Sequence, residues 1–299
     1  MKKFLAFACL VFGIIIQAQI NRFFYEYKFI PDSNNREDVK KEMMLLDISG
    51  KGSTYYSYEK YVSDSTIVAA VEKQAKSGSG NININRNEKS GQVNYKVVKD
   101  YPDFTTFLLT KISTDQYKVK EDRKPVWEIL PDKQKIGEYM AQKATTSYGG
   151  RDWIAWFTAD LPFQDGPYKF YGLPGLIVKI EDTTGSHVMT LAGNKKIENA
   201  SPEAEFKVPP GMVMLGIGGK DIEVTKDQFR KAWKNYVNDP SKNMRQMMAG
   251  SGDMKMSFKF KDAGGKEISD PNQVLRAMEK NTKERLAKDN NPIEPELVK

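Results

Sequence analysis

The chain has 299 residues, with 46 Lys and Arg against 39 Asp and Glu, one histidine and one cysteine. A single cysteine excludes a disulfide scaffold and cysteine-ligated zinc or iron–sulfur centres, and one histidine leaves His187 alone for any histidine-dependent mechanism. Charge of both signs is spread evenly, Lys often beside Glu or Asp, which describes a solvated surface rather than the clustered basic face of a nucleic-acid binder.

Lys2 and Lys3, the apolar run FLAFACLVFGIII and the small residue Ala18 within QAQ have the order of a secretory signal peptide, so residues 1–18 are expected to be removed on export. The run is shorter than the roughly 20 residues a membrane-spanning helix needs, and no later stretch approaches that length. The exported product is therefore expected to be soluble, without a transmembrane segment, in the periplasm, at the outer membrane or secreted. Cys9 sits inside the run after AFA, a poor fit to a lipid-attachment site. Its removal leaves a chain without cysteine, held together by its core alone, and long enough for one large domain or two small ones. Losing Lys2 and Lys3 from the 46 basic residues leaves 44 against 39 acidic ones, a balance of +5 rather than +7.

Residues 19–220 read as a β-rich domain. NRFFYEYKFI, VKKEMMLLDIS, STYYSYEKYV, QVNYKVVKD, FTTFLLTKI and DQYKVKE follow one another between turn clusters such as PDSNN and ISGKG, the pattern of antiparallel strands. STIVAAVEKQAKSGSG suggests one helical interruption, and NININRNEKSG a short hairpin arm. From Trp127 the signal is densest. IGEYMAQKATTSYGG and RDWIAWFTADLP read as strands joined at Gly149 and Gly150, and LIVKIED and SHVMTLAG as a second pair joined at TTG.

Residues 221–290 change character and are expected to pack on the domain as a helical and β extension. Thr225 with Gln228 forms a capping-box pattern ahead of Phe229, Trp233 and Tyr236. SKNMRQMMAG fits a short helix, KMSFKFK a strand, and Asp270-Pro271 with Gln273 opens a last helix with few apolar positions. The polar residues 291–299 are expected to form a flexible tail.

GPYKFYGLPGLIVKIED, residues 166–182, places a sharp corner among aromatic and aliphatic side chains. Leu173-Pro174-Gly175-Leu176 suits a type II turn, proline fixing φ at the second position and glycine accepting positive φ at the third. Leu176, Val178 and Ile180 are then expected on one face of a half-buried strand and Lys179 and Glu181 on the other. Two readings follow for Phe170, Tyr171, Gly172, Leu173, Pro174 and Gly175. They turn a corner and plug the end of a core, or they are displayed as a docking surface, in which case Phe170 and Tyr171 must be exposed.

GLPGLI at 172–177 resembles the motif for which the GLPGLI family of Gram-negative envelope proteins is named. FFYEYKF, LLDISGKGSTYYSYEKY and the block from Trp127 through Asp182 are similar to that family's order of segments, so the resemblance spans roughly residues 21–195. It implies an exported protein, often encoded beside outer-membrane receptor and transport genes, with no established catalytic activity and no catalytic residues to carry over.

A search for chemistry points the same way. His187 lies in GSHVMT with no G-x-S-x-G elsewhere, so no hydrolase triad is expected. With one histidine and no D-x-D-x-D-G loop, no metal site is expected. Asp152, Asp160, Asp165 and Asp182 flank strand ends, where Asp caps turns. Ser57-Tyr58-Glu59-Lys60 fits S-x-x-K but falls in an expected strand, and GIGGKD at 216–221 lacks P-loop spacing. The expected fold is α+β, mainly antiparallel β, with a large curved or partly open sheet and a few helices, mostly in the C-terminal third. The expected role is a non-catalytic envelope component without a cofactor, binding an outer-membrane protein. The alternatives are a periplasmic carrier of an apolar ligand and a hydrolase whose Asp, Glu or Ser chemistry leaves no motif. Nucleic acid is not expected as a partner.

Overall fold

The structure, a computed structural model, describes residues 19–76, 91–197, 221–250, 260–261, 267–268 and 270–298. Its strands are β1 (Ile20–Phe29), β2 (Lys40–Ser49), β3 (Gly52–Ser57), β4 (Lys96–Asp100), β5 (Thr105–Ile112), β6 (Asp115–Lys120), β7 (Glu128–Ile136), β8 (Tyr139–Tyr148), β9 (Arg151–Thr158), β10 (Leu176–Asp182), β11 (His187–Ile197), β12 (Ile222–Val224), β13 (Phe260–Lys261) and β14 (Glu267–Ile268). The helices are α1 (Tyr58–Lys76), α2 (Lys226–Asn238), α3 (Lys242–Gly250), α4 (Pro271–Lys288) and α5 (Pro295–Val298). The protein is thus α+β and mostly antiparallel, with its helices mainly in the last third, as the sequence predicts. The hairpin expected over NININRNEKSG and most of the KMSFKFK strand lie outside the described residues.

Twelve strands share one open sheet, in the order β12-β6-β5-β4-β3-β2-β1-β11-β10-β9-β8-β7. Nearly every neighbour is also the next strand in sequence. The exceptions are the antiparallel β1–β11 pair, which joins the two meanders, and the short parallel β12–β6 pair. This order has a geometric consequence. β6 and β7 are ten strand spacings apart, about 48 Å on a flat sheet at ~4.8 Å each. Residues 121–127 alone connect them, and the eight steps from Lys120 to Glu128 reach at most about 29 Å. The sheet must therefore curl strongly, bringing its far strands face to face.

Strand alternation decides what the curl encloses. Phe23, Tyr25 and Tyr27 of β1, Met44, Leu46 and Ile48 of β2, and Trp153, Ala155 and Phe157 of β9 all enter one core. Tyr168, Phe170 and Leu173, from the connection between β9 and β10, lie in the same core. Each fully buried side chain of this size contributes about 1.5–3 kcal/mol. On the opposite face Ala141, Trp156 and Val178 form a small second cluster.

Three expectations need correction. The stretch STYYSYEKYV is strand only to Ser57, where the Ser57 hydroxyl accepts a hydrogen bond from the Lys60 backbone N–H (3.0 Å) and starts α1 as its cap. The helix thus begins well before STIVAAVEKQ. In β10, the pairing with β9 shifts between Ile177 and Lys179, leaving Val178 as the extra residue of a bulge. Leu176, Ile177 and Ile180 therefore enter the main core while Val178 joins the opposite cluster. Finally, the expected flexible tail of residues 291–299 is packed over its described part, 291–298. Glu294 and Leu297 are buried, and the Asn291 N–H donates to the Pro31 carbonyl at 3.0 Å.

Candidate functional site

The motif belongs to an irregular segment that runs through the core. Between β9 and β10, residues Asp165–Tyr171 are buried without a break. Such a segment carries backbone groups that no ladder satisfies, so each needs another partner. The Gly172 N–H donates to the Gln164 carbonyl (3.0 Å), and the Ile177 N–H to the Asp165 carbonyl (3.1 Å). Trp127 Nε1 donates to the Tyr171 carbonyl (2.8 Å), and the Tyr25 hydroxyl to that of Ile177 (2.7 Å).

The Pro-Gly corner is tighter than a type II turn. The Gly175 N–H bonds to the Leu173 carbonyl at 2.8 Å, a three-residue turn centred on Pro174. Leu176, which a type II turn would tie back to Leu173, instead donates to the Leu161 carbonyl at 3.0 Å. Phe170 is 0 % exposed, Tyr171 7 % and Leu173 0 %, while Gly172 and Pro174 reach solvent. Phe170 packs among Trp153, Tyr148 and Trp127, and Tyr171 stacks on Phe104. The two rings named for docking thus face inward.

Lys99 supplies what the buried segment lacks. Its side chain is 0 % exposed, and its ammonium donates to the Asp165 carboxylate, the Gly166 carbonyl (2.7 Å) and the Phe170 carbonyl (3.3 Å). An ammonium has three N–H donors, and all three are used. The other Asp165 oxygen accepts from Tyr101, and its first from the Gly166 N–H (2.6 Å). Burial lowers the Lys99 pKa against the pull of Asp165, and raises that of Tyr101.

A second buried set lies further along. Lys169 pairs with Glu294 (2.6 Å) and Glu121 (2.9 Å), and Lys226 with Glu121 and Asp122. The Tyr168 hydroxyl also donates to Glu294 at 2.6 Å. Burial alone would raise Glu121, but Lys169 and Lys226 together take it down to about 2; burial would lower Lys169, but Glu294 and Glu121 raise it.

The third set centres on His187. Its Nδ1 lies 2.7 Å from the Tyr27 hydroxyl and its Nε2 3.1 Å from the Asn291 carbonyl. A carbonyl accepts only, so Nε2 carries the proton and Nδ1 accepts from Tyr27. Asp182 caps the turn by accepting from the His187 N–H (2.7 Å) and pairs with Arg151 (3.0 Å), which donates in turn to Asn291 and Pro292. Burial, then Arg151, pushes the imidazole down to about 4.

These clusters are ionisable groups brought together, yet each consumes its own charge inside packed protein. Of their members, sequence motifs point only to His187, Asp165 and Asp182, and read them as strand or turn residues. Lys99 was detectable in principle: it follows Val97 by two in β4 and so shares its inward face. In the S-x-x-K pair the Ser57 hydroxyl meets Lys60 only at its backbone N–H, while Lys60 Nζ turns to Asp64 (3.2 Å). Of GIGGKD, only Asp221 is described. A hollow between α2 and α3 is lined by Asn235, Asn238, Asp239, Lys242, Arg245 and Gln246, where Arg245 already pairs with Asp239. Among the described residues, no helix is long and apolar enough to cross a membrane.

A family model described as "Protein of unknown function (Porph_ging)" matches residues 148–179, which run from the end of β8 through the buried segment into β10. No curated protein matches the chain. A solved structure described as "Structure of PNGF-II in P21 space group" is 14% identical with a TM-score of 0.47, over 72% of this chain and 33% of that one. A second, in the C2 space group, is 15% identical with a TM-score of 0.46, over 72% and 32%. The chain spans about a third of the length of these structures.

Proposed function

We propose that the protein is a non-catalytic cell-envelope component that acts by binding, as an accessory to outer-membrane transport or receptor machinery. The observation carrying this reading is that the motif segment is spent on architecture, its rings buried and its charges paired. That leaves the solvent-facing rim beside it as the surface for recognition. At this rim Val126 is 81 % exposed and Ile129 47 %, flanking Trp127, whose indole holds the Tyr171 carbonyl. Two exposed aliphatic side chains beside an anchored tryptophan offer apolar contact on a rigid base. Export rests on the signal-peptide pattern of residues 1–18, and the outer-membrane association on the resemblance to GLPGLI-type proteins. The filled inner face gives no support to a carrier of apolar ligands, and the internally paired ions give none to a hydrolase.

The test is affinity capture from the protein's own cell envelope with the wild-type chain and a Val126→Ser, Ile129→Ser variant. The variant should melt at the wild-type temperature and lose an outer-membrane receptor or transporter that the wild type retains. Equal capture by both chains overturns the assignment of the rim.

A further inference from the structure

Residues 290–298 lie on the body of the protein in the manner of a bound peptide. Asn290 meets Ser33 and Asp32, and Asn291 meets the carbonyls of Pro31 (3.0 Å) and Ile30 (2.7 Å). Arg151 donates to the Pro292 carbonyl (2.7 Å), Lys169 and Tyr168 hold the Glu294 carboxylate, and Arg230 donates to the Glu296 carbonyl (2.8 Å). Leu297 closes the row inside the core. Both glycines of the β8–β9 turn form part of the seat. A Cβ on Gly149 would lie 2.7 Å from Glu294 Cγ, and one on Gly150 2.9 Å from Glu296 Cγ. A turn needs positive φ at these positions, but the strap needs the missing side chains.

Among the described residues, the helix that carries the strap makes fewer polar contacts with the rest of the protein than the strap does. α4 spans 18 residues, about 27 Å of helix, and Val274 is its buried residue. Near its end Arg285 touches the Tyr236 hydroxyl at 3.3 Å, on exposed surface. This helix thus ends in a segment that is seated by side chains from six remote stretches of the chain, at Asp32 and Ser33, Arg123, Arg151, Tyr168 and Lys169, His187, and Arg230.

We propose that the strap is exchangeable: the groove accepts residues 290–298 of a second copy of this chain, and two copies dimerise by trading straps. A traded strap meets the same Arg151, Lys169, Tyr168 and Arg230, so its contacts cancel between monomer and dimer. The balance then turns on concentration and on the bend between α4 and Asn290. The chemistry favours a second copy over an unrelated peptide. An occupant must bring an asparagine for the Ile30 and Pro31 carbonyls, a carboxylate three residues on for buried Lys169 and an aliphatic residue three further on for the core, and the strap has Asn291, Glu294 and Leu297 in that register.

The experiment uses full chains in a Cys9→Ser background, one carrying Arg123→Cys and the other Glu296→Cys. These side chains pair at 2.6 Å in one seated strap, and both are about half exposed. The two chains are mixed at high concentration and treated with a short bismaleimide. Strap trading gives covalent dimers in the mixture, from about half of the dimers if pairing is random, and none in either chain alone. Sedimentation of the unsubstituted chain shows a dimer whose share rises with concentration. The proposal is overturned if a chain with both cysteines cross-links internally while the mixture yields no covalent dimer. It is also overturned if the unsubstituted chain stays monomeric throughout, including the case where a labelled peptide of residues 289–298 binds it.

Discussion

Gly175→Ala is the sharpest perturbation the fold offers. Gly175 has φ +150°, and a Cβ placed there would collide with the Thr158 carbonyl oxygen, 2.5 Å from the Thr158 carbonyl carbon and 2.9 Å from the Ala159 nitrogen. All three atoms are backbone, so no side chain can swing aside. Leu176, the next residue, is paired with Thr158 in the β9–β10 ladder, so the strands must separate to admit the methyl group. Overpacking of this kind costs about 1–3 kcal/mol, and a disfavoured backbone conformation adds about 1–3 kcal/mol. The sum, ~2–6 kcal/mol, is a large part of the ~5–15 kcal/mol that holds a domain folded. At about 2–4 °C per kcal/mol for a chain of this size, the melting temperature should fall by ~5–20 °C. Gly172→Ala is the control. It also has positive φ, +95°, but its Cβ would meet nothing closer than Trp127 Nε1 at 4.0 Å, so only conformational strain remains. Differential scanning calorimetry and urea titration of both variants decide the matter. If Gly175→Ala loses no more stability than Gly172→Ala, close approach of the two backbones is not what makes glycine necessary.

Asp165→Asn should cost about 3–5 kcal/mol in urea titrations, because it strands the Lys99 charge, and adding Lys99→Met should recover part of that loss; a double variant no better than the single one refutes the pairing. For His187, an unfolded imidazole near its ordinary 6.5 binds a proton that the folded one, at about 4, does not. Stability should therefore fall as pH drops from 6.5 to 4, by roughly 3 kcal/mol, whereas Glu121, held at about 2, acts only below its ordinary range. His187→Gln should flatten the upper window; an unchanged slope there counts against the buried neutral histidine. Glu42 shifts the opposite way, raised by burial while its Oε2 accepts from the Gln92 (2.7 Å) and Val93 (2.9 Å) N–H groups. A raised carboxyl gives stability at low pH that is lost as pH rises, so Glu42→Gln should exceed the wild type in urea midpoint at pH 8 but not at pH 4.

Local signals in the sequence are enough for many of the elements. Gly149-Gly150 marks the β8–β9 hairpin, TTG marks β10–β11, and the Thr225–Gln228 capping box forms as expected at the start of α2. What failed was non-local. Nothing near β1 announces that it pairs with β11, and that pairing is what makes one sheet of two meanders. Lys99 and Asp165 are 66 residues apart, and each alone reads as surface charge. The strap reads as solvated because its residues are polar, yet Arg151, Lys169 and His187 lie more than a hundred residues upstream. The corner departs from a type II turn for the same reason: the partner of the Leu176 N–H is Leu161, outside the four residues from which a turn type is judged.

Buried ion pairs rarely add stability over well-packed apolar residues, so another reason is needed for Lys99 and Lys169. The curled sheet supplies it. A curl this wide must be filled, and a helix could fill it with its backbone already satisfied, whereas the segment from Asp165 to Tyr171 cannot. The carbonyls of Gly166 and Phe170 need donors, and a lysine reaching in from β4 supplies both from one atom while its third N–H meets the Asp165 carboxylate. The charge then requires Asp165, and Tyr101 occupies that carboxylate's remaining side. The same logic recurs where Lys169 meets Glu294 of the strap. Each ammonium fixes one orientation of an irregular segment, because any other leaves a buried charge unpaired. The ions therefore select the conformation of the motif rather than strengthen the core, which is why the motif can be rigid without being helix or strand.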